Sequence, residues 1–162
     1  MARPGVHRVP DGFDTEWPGA SASATEVVLN LIRAGEELNA RVDAFVRRYG
    51  LPSSTALIVL EVLRGEGTAL TPSTIAARSF VSRSALTGVM HTLQRRGLLT
   101  RSAHPGDLRR TAVEITPAGT RLLEQLLPEL HRAEVEWTKT LSPRQQADLL
   151  HLLGKLPSTA PT

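Results

Sequence analysis

Eight arginines fall between positions 64 and 110, at Arg64, Arg78, Arg83, Arg95, Arg96, Arg101, Arg109 and Arg110, opposed only by Glu66 and Asp107. That stretch carries +6 in a chain whose total is +3, so the remainder carries −3. Such an asymmetry fits a surface for a polyanion, the competing reading being a solvated basic face. Within the stretch, Ser82, Arg83, Ser84, Thr87, Gly88, His91 and Arg95 fall opposite Leu86, Val89, Met90 and Leu93 when the segment is wound as a helix. Short hydroxyls and long cations on one face can approach base edges and phosphates; a plain solvent-facing surface is the alternative. Thr71 and Ser73, at the start of the preceding short helix, add two hydroxyls to the same set. Arg109 and Arg110 lie in a segment with turn residues at its centre, from which a guanidinium could extend into a minor groove and profit from its negative potential. Asp107 is the odd acid there. A carboxylate beside phosphates is unfavourable unless paired, so Asp107 is expected to hold Arg101 or Arg109 in position, against the alternative of an exposed turn acid.

Other chemistries are poorly provided for. The chain has no Cys, which removes disulfides, thiolate metal sites and thiol-based redox switches. His7, His91, His104, His131 and His151 are scattered, and no HExxH, nucleophile elbow, P-loop or GxGxxG is present. His131 and Glu134 stand three apart, a spacing that can bind metal but is more often a surface polar pair. The expectation is therefore no enzyme, no catalytic or metal residues and no cofactor. No apolar run reaches the roughly 18 to 20 residues of a membrane span and the N-terminus lacks a signal-peptide pattern, so a cytoplasmic protein, nucleoid-associated when bound to DNA, is expected.

These residues must be positioned by a chain of 162 residues with 41% apolar and 4% aromatic content, enough for one mainly aliphatic core. Residues 1–22, rich in Pro and Gly, read as an arm that is either disordered or pinned by Phe13 and Trp17 to the body or to a partner subunit. A long helix is expected from near Ser23, with Ser23 and Glu26 as a capping box, to about Gly50. A second runs from Ser53 or Ser54 to Arg64, closed by Gly65-Glu66-Gly67. A short extended piece at 68–70 precedes Thr71-Pro72, the cap and first residue of a helix ending near Arg78. Ser82 caps the next, which stops at Gly97. Strands at 98–102 and 111–115 bracket a loop at 103–110, making a hairpin. Thr116-Pro117 starts a helix that Pro128 interrupts and kinks, and Ser142-Pro143 starts the last, running to Pro157.

The order helix, short strand, helix, turn, helix, hairpin is that of a winged helix-turn-helix. At Val81-Ser82-Arg83-Ser84-Ala85-Leu86-Thr87, Leu93-Gln94-Arg95-Arg96-Gly97-Leu98-Leu99, Asp107-Leu108-Arg109 and Ile115-Thr116-Pro117-Ala118-Gly119, the sequence resembles the MarR family of bacterial transcriptional regulators. The likeness covers about residues 23–156. Three positions depart from the family pattern: Gly88 stands where an Arg is frequent, Leu108 where a second wing Arg is common, and Phe80 in a turn that often has Gly. The resemblance implies an obligate homodimer binding a palindromic operator in double-stranded DNA, acting as a repressor released by a small phenolic or amphipathic effector. A non-regulatory DNA-architectural or protein-binding winged helix is the alternative.

The expected architecture is mainly α with a small β-hairpin wing, flanked by long N- and C-terminal dimerisation helices. It divides into the arm at 1–22, a dimerisation region at 23–50 and 117–157, a DNA-binding lobe at 51–116 and a tail at 158–162. The homodimer also has a basis in the residues themselves. The first and last helices carry more apolar positions than one small body readily covers, although a larger monomeric core would also absorb them.

Overall fold

A computed structural model describes residues 5–79, 81–104 and 107–156, the side chains of Arg83, His104 and residues 107–110 excepted. It contains α1 (Phe13–Glu16), α2 (Ala22–Arg47), α3 (Ser54–Glu66), α4 (Pro72–Ser79), α5 (Arg83–Arg95), β1 (Leu99–His104), β2 (Asp107–Ile115), α6 (Pro117–Thr138) and α7 (Pro143–Leu153). Among the described residues the protein is mainly helical, with one two-stranded antiparallel sheet. Two compact units are present, one reaching to Thr120 and the other starting at Arg121.

In the first unit α3 is the hub, packed on α2, α4, α5 and β2. Its 13 residues bury Ala56, Leu57, Val59, Leu60 and Leu63, a nearly all-round apolar surface suited to a central helix. Around it lie Val46, Leu51, Ile75, Leu86, Met90, Leu93, Leu99 and Val113, all buried. The expected extended piece forms a third rung on the hairpin: the Leu70 N–H donates to the Val113 carbonyl at 3.0 Å, and the Val113 N–H returns to Leu70 at 2.8 Å. The polar seam between α2 and α3 is closed by Asp43, whose carboxylate accepts the Ser54 N–H at 2.6 Å, and by Asn39, which accepts the Ser54 hydroxyl at 2.6 Å.

The long first helix starts two residues before the expected position. Ser21 is its N-cap, accepting the Ala24 N–H at 3.3 Å, and no Ser23–Glu26 box forms. Glu26 is taken by the arm instead: it accepts the Val9 N–H at 3.0 Å and pairs with Arg8 at 2.7 Å. These two partners, in that order, hold its carboxyl below the usual carboxylate range. One turn on, the Asn30 carboxamide accepts the His7 N–H at 2.8 Å and donates to the His7 carbonyl at 3.0 Å, as a neighbouring strand would. The described arm is thus seated on α2 by polar groups, while Trp17 stays exposed.

Of the 26 residues of α2, only Phe45 and Val46 are buried, and Val27, Val28, Leu29, Ile32 and Leu38 stand exposed. In the second unit α6 buries Leu123, Leu126, Leu127 and Leu130 and continues as helix through Pro128. Ser142 and Gln145 cap α7 reciprocally, and its Leu149, Leu150, Leu152 and Leu153 are exposed.

Candidate nucleic-acid interface

The second short helix, α5, is shaped by signals at both ends. The Ser82 hydroxyl accepts the Ala85 N–H at 3.3 Å and satisfies an amide the helix leaves free. At the other end Gly97 takes a positive φ of 69°, its N–H bonds the Gln94 carbonyl at 2.9 Å, and the Leu98 N–H bonds the Leu93 carbonyl at 3.0 Å. This is a Schellman ending, and it explains why glycine follows the last helical turn. Between these stops Leu86, Met90 and Leu93 face inward, and Ser84, Thr87, Gly88, His91 and Arg95 are exposed. The expected polar face of α5 is therefore an outer face. Arg83 starts the helix, and its side chain lies outside those described.

The preceding helix, α4, contributes through its N-terminus. The Thr71 hydroxyl accepts the Thr74 N–H at 3.3 Å and sits 2.9 Å from the Ser73 hydroxyl and 2.8 Å from that of Thr74. Ser82 and Ser84 form a second hydroxyl pair at 3.2 Å at the start of α5. A groove of about 280 Å³ runs between the two helices, lined by Pro72, Ser73, Leu86, Thr87 and Met90. Both hydroxyl clusters cap helix starts, where backbone N–H groups and the helix dipole favour an anion.

In the hairpin the strands run further than the apolar pattern indicates, β1 to His104 and β2 from Asp107, so Arg109 and Arg110 are carried on strand backbone rather than in a long loop. The register passes from Ala103 opposite Thr111 to His104 opposite Asp107. Leu108, Arg109 and Arg110 are therefore surplus residues on β2, a bulge next to the turn that lifts the chain out of the ladder. Arg101, opposite Val113 on β1, is exposed. The expected pairing of Asp107 with Arg101 or Arg109 lies outside the described side chains, as does the reach of Arg109 and Arg110. So does Phe80 in the interhelical turn.

Two arginines counted in the basic stretch are engaged within the fold. Arg78 forms an ion pair with Glu66. Arg96 donates to the carbonyl of Gly50 and ties the end of α5 to the turn after α2. Gly50 has a φ of 76°, and a side chain there would meet that guanidinium. The base of the hairpin is held by Thr116, whose hydroxyl donates to the Gly97 carbonyl at 2.7 Å and accepts the Gly119 N–H at 3.1 Å. Gly119 is forced by close approach: a Cβ there would collide with the Leu98 carbonyl oxygen and lie 2.7 Å from Ile115 Cγ1. Among the described residues no group of three or more His, Asp or Glu is placed to hold a metal ion, and no helix is long and apolar enough to cross a membrane.

Helix, extended rung, helix, turn, capped helix with a polar outer face and bulged hairpin define a winged helix-turn-helix DNA-binding protein. The chain belongs to the MarR family, whose model matches residues 49–110, and it is a transcriptional regulator. It is 30% identical over 133 residues to the transcriptional regulator YwaE of Bacillus subtilis, covering 82% of this chain and 77% of that one. It is 29% identical over 112 residues to the transcriptional repressor YetL of the same organism, covering 69% and 67%. Among solved structures, BpsR of Bordetella bronchiseptica superposes with a TM-score of 0.77 at 25% identity, over 88% of this chain and 100% of that one. That protein was solved to explain how 6-hydroxynicotinic acid regulates its DNA binding. The family and these relatives are regulators, not enzymes.

Proposed function

We propose that the protein is a ligand-responsive repressor that binds a palindromic operator as a homodimer. The observation that carries this reading is the outer face of α5, with Ser84, Thr87, His91 and Arg95 exposed beside an arginine-bearing hairpin. In this reading Ser82, Arg83, Ser84, Thr87, His91 and Arg95 meet the major groove, Thr71 and Ser73 meet phosphate, and Arg109 and Arg110 enter the minor groove. Asp107 and Arg101 support the wing.

The dimer is supported by apolar surface that the described residues leave uncovered: Val28 is 54% exposed on α2 and Leu150 is 70% exposed on α7. Rows of exposed Leu and Val on two helices of one small chain are what an isologous interface buries. Residues 23–50 and 117–157 are accordingly the dimerisation region and 51–116 the DNA-binding lobe. A two-fold pair presents two copies of α5 about one DNA turn apart, or a small multiple of it, which requires a palindrome.

Ligand response rests on the likeness to BpsR. A small aromatic acid that favours a dimer geometry mismatched to the groove shifts the population away from DNA by its differential affinity for the two geometries. The test is a footprint of the purified protein on DNA upstream of its own gene, repeated with 6-hydroxynicotinate, salicylate and benzoate. Protection of two half-sites related by a dyad, lost on adding one of these acids, is expected. A single unpaired site refutes the palindrome, and protection untouched by every acid refutes this ligand class.

A further inference from the structure

Glycine is, after proline, the least favourable residue inside a helix, so a glycine there calls for a reason. At Gly119 the reason is collision, as shown above. At Gly88 the described residues supply none: its φ is not positive, and a Cβ would meet none of them within 4 Å. A Cβ at Gly35 of α2 would also meet nothing, so room alone argues nothing. Position does. Gly88 is the sixth of the 13 residues of α5, with Ser84 one turn before it, His91 about one turn after and Arg95 two turns after on the same exposed ridge. Its carbonyl already accepts the Thr92 hydroxyl at 3.1 Å, so the peptide there has a partner within the helix.

We propose that Gly88 is a specificity-determining residue, a bare point on α5 against which an apolar base edge packs. This rests on the reading of α5 as the helix that enters the major groove. A bare Cα offers neither donor nor acceptor, so what it distinguishes is apolar bulk. The one apolar group presented in the major groove is the C5-methyl of thymine. Ser84 and His91 wall the gap on either side along the ridge. Recognition at this step then works by shape, with the backbone closer to the bases than any side chain at 88 permits.

The experiment takes the DNA site protected by the wild-type protein and measures affinity for that site, for the site with each thymine replaced singly by deoxyuridine, and for unrelated duplex. Wild type, Gly88→Ala and Gly88→Ser are compared, each with a thermal melt. Expected for Gly88→Ala is a melting temperature a few degrees higher together with a roughly tenfold loss on the specific site, and unchanged affinity for unrelated DNA. Gly88→Ser, which adds similar bulk with a polar tip, loses affinity likewise. One deoxyuridine in each half-site weakens the wild type about fivefold and costs the alanine variant nothing further. Unchanged or tighter specific binding by Gly88→Ala overturns the proposal, as does a lower melting temperature, which would mean that the fold itself requires the glycine. Absence of any deoxyuridine-sensitive position overturns the thymine assignment. If instead the wild type binds all duplexes alike, the reading of α5 as a base-reading helix fails first.

Discussion

Replacing Gly119 with alanine sets two effects of opposite sign against each other. By helix propensity alone the change is favourable by up to about 1 kcal/mol, since Gly119 lies in the first turn of α6. The geometry opposes it. The new Cβ would collide with the Leu98 carbonyl oxygen and stand 2.7 Å from Ile115 Cγ1. Ile115 can adjust by a small rotation. The Leu98 carbonyl cannot retreat freely, because it also accepts the Thr116 N–H at 3.1 Å, a bond whose loss costs about 1 kcal/mol. Forced overpacking adds about 1 to 3 kcal/mol. The net is a destabilisation of about 2 kcal/mol, which for a chain of this size lowers the melting temperature by about 4 to 8 °C. Melts followed by circular dichroism, at matched protein concentration so that self-association does not shift the midpoint, measure it. An unchanged or raised midpoint would refute the close approach of α6 to the base of the wing. Alanine at 88, where a Cβ meets none of the described residues, is the control that isolates collision from propensity.

Thr116→Val removes the hydroxyl that bridges Gly97 and the Gly119 N–H and should cost about 1 to 2 kcal/mol in denaturant unfolding, with Thr116→Ser restoring most of it. Arg109→Ala should weaken operator binding by no more than a few kcal/mol and lower the salt slope by about one if it meets phosphate, with the oligomeric state unchanged by sedimentation; unchanged affinity would remove Arg109 from the wing contact. Asn30→Leu should speed amide exchange at His7 and Val9 while leaving the core amides of α3 protected, and equal exchange in both proteins would detach the arm from Asn30. Because Glu26 is held below its ordinary range, its contribution to arm docking is complete at neutral pH and is lost as pH falls through that lowered value. Exchange at Val9, corrected for its intrinsic pH dependence, should therefore rise in acid, and Glu26→Gln should remove that dependence.

Much of the lobe was legible in the residues themselves. The caps at Thr71, Ser82 and Ser142, the stop at Gly97 and the inward row of Leu86, Met90 and Leu93 act within a turn or two of their own position, so local pattern suffices to place them. The apolar excess on α2 and α7 was likewise countable from spacing. Other features depended on residues distant in sequence. Ser21 replaces Ser23 as the cap of α2 while Glu26 is engaged by Arg8 and Val9, whose approach leaves no trace in the helical pattern. The strands outrun their β-prone cores because the hairpin closes through His104 opposite Asp107, and strand backbone runs on through the bulge at residues 108–110.

Arginine count marked a basic stretch, but only the fold set Arg78 against Glu66 and Arg96 against the Gly50 carbonyl, 46 residues away. Gly88 and Gly119 show the same division most plainly. As letters both are glycines in helices, and neither letter says whether a side chain would fit. The backbone crowding against Gly119 and the open space around Gly88 are properties of tertiary packing, because a missing side chain acquires meaning only from what stands where it would have been.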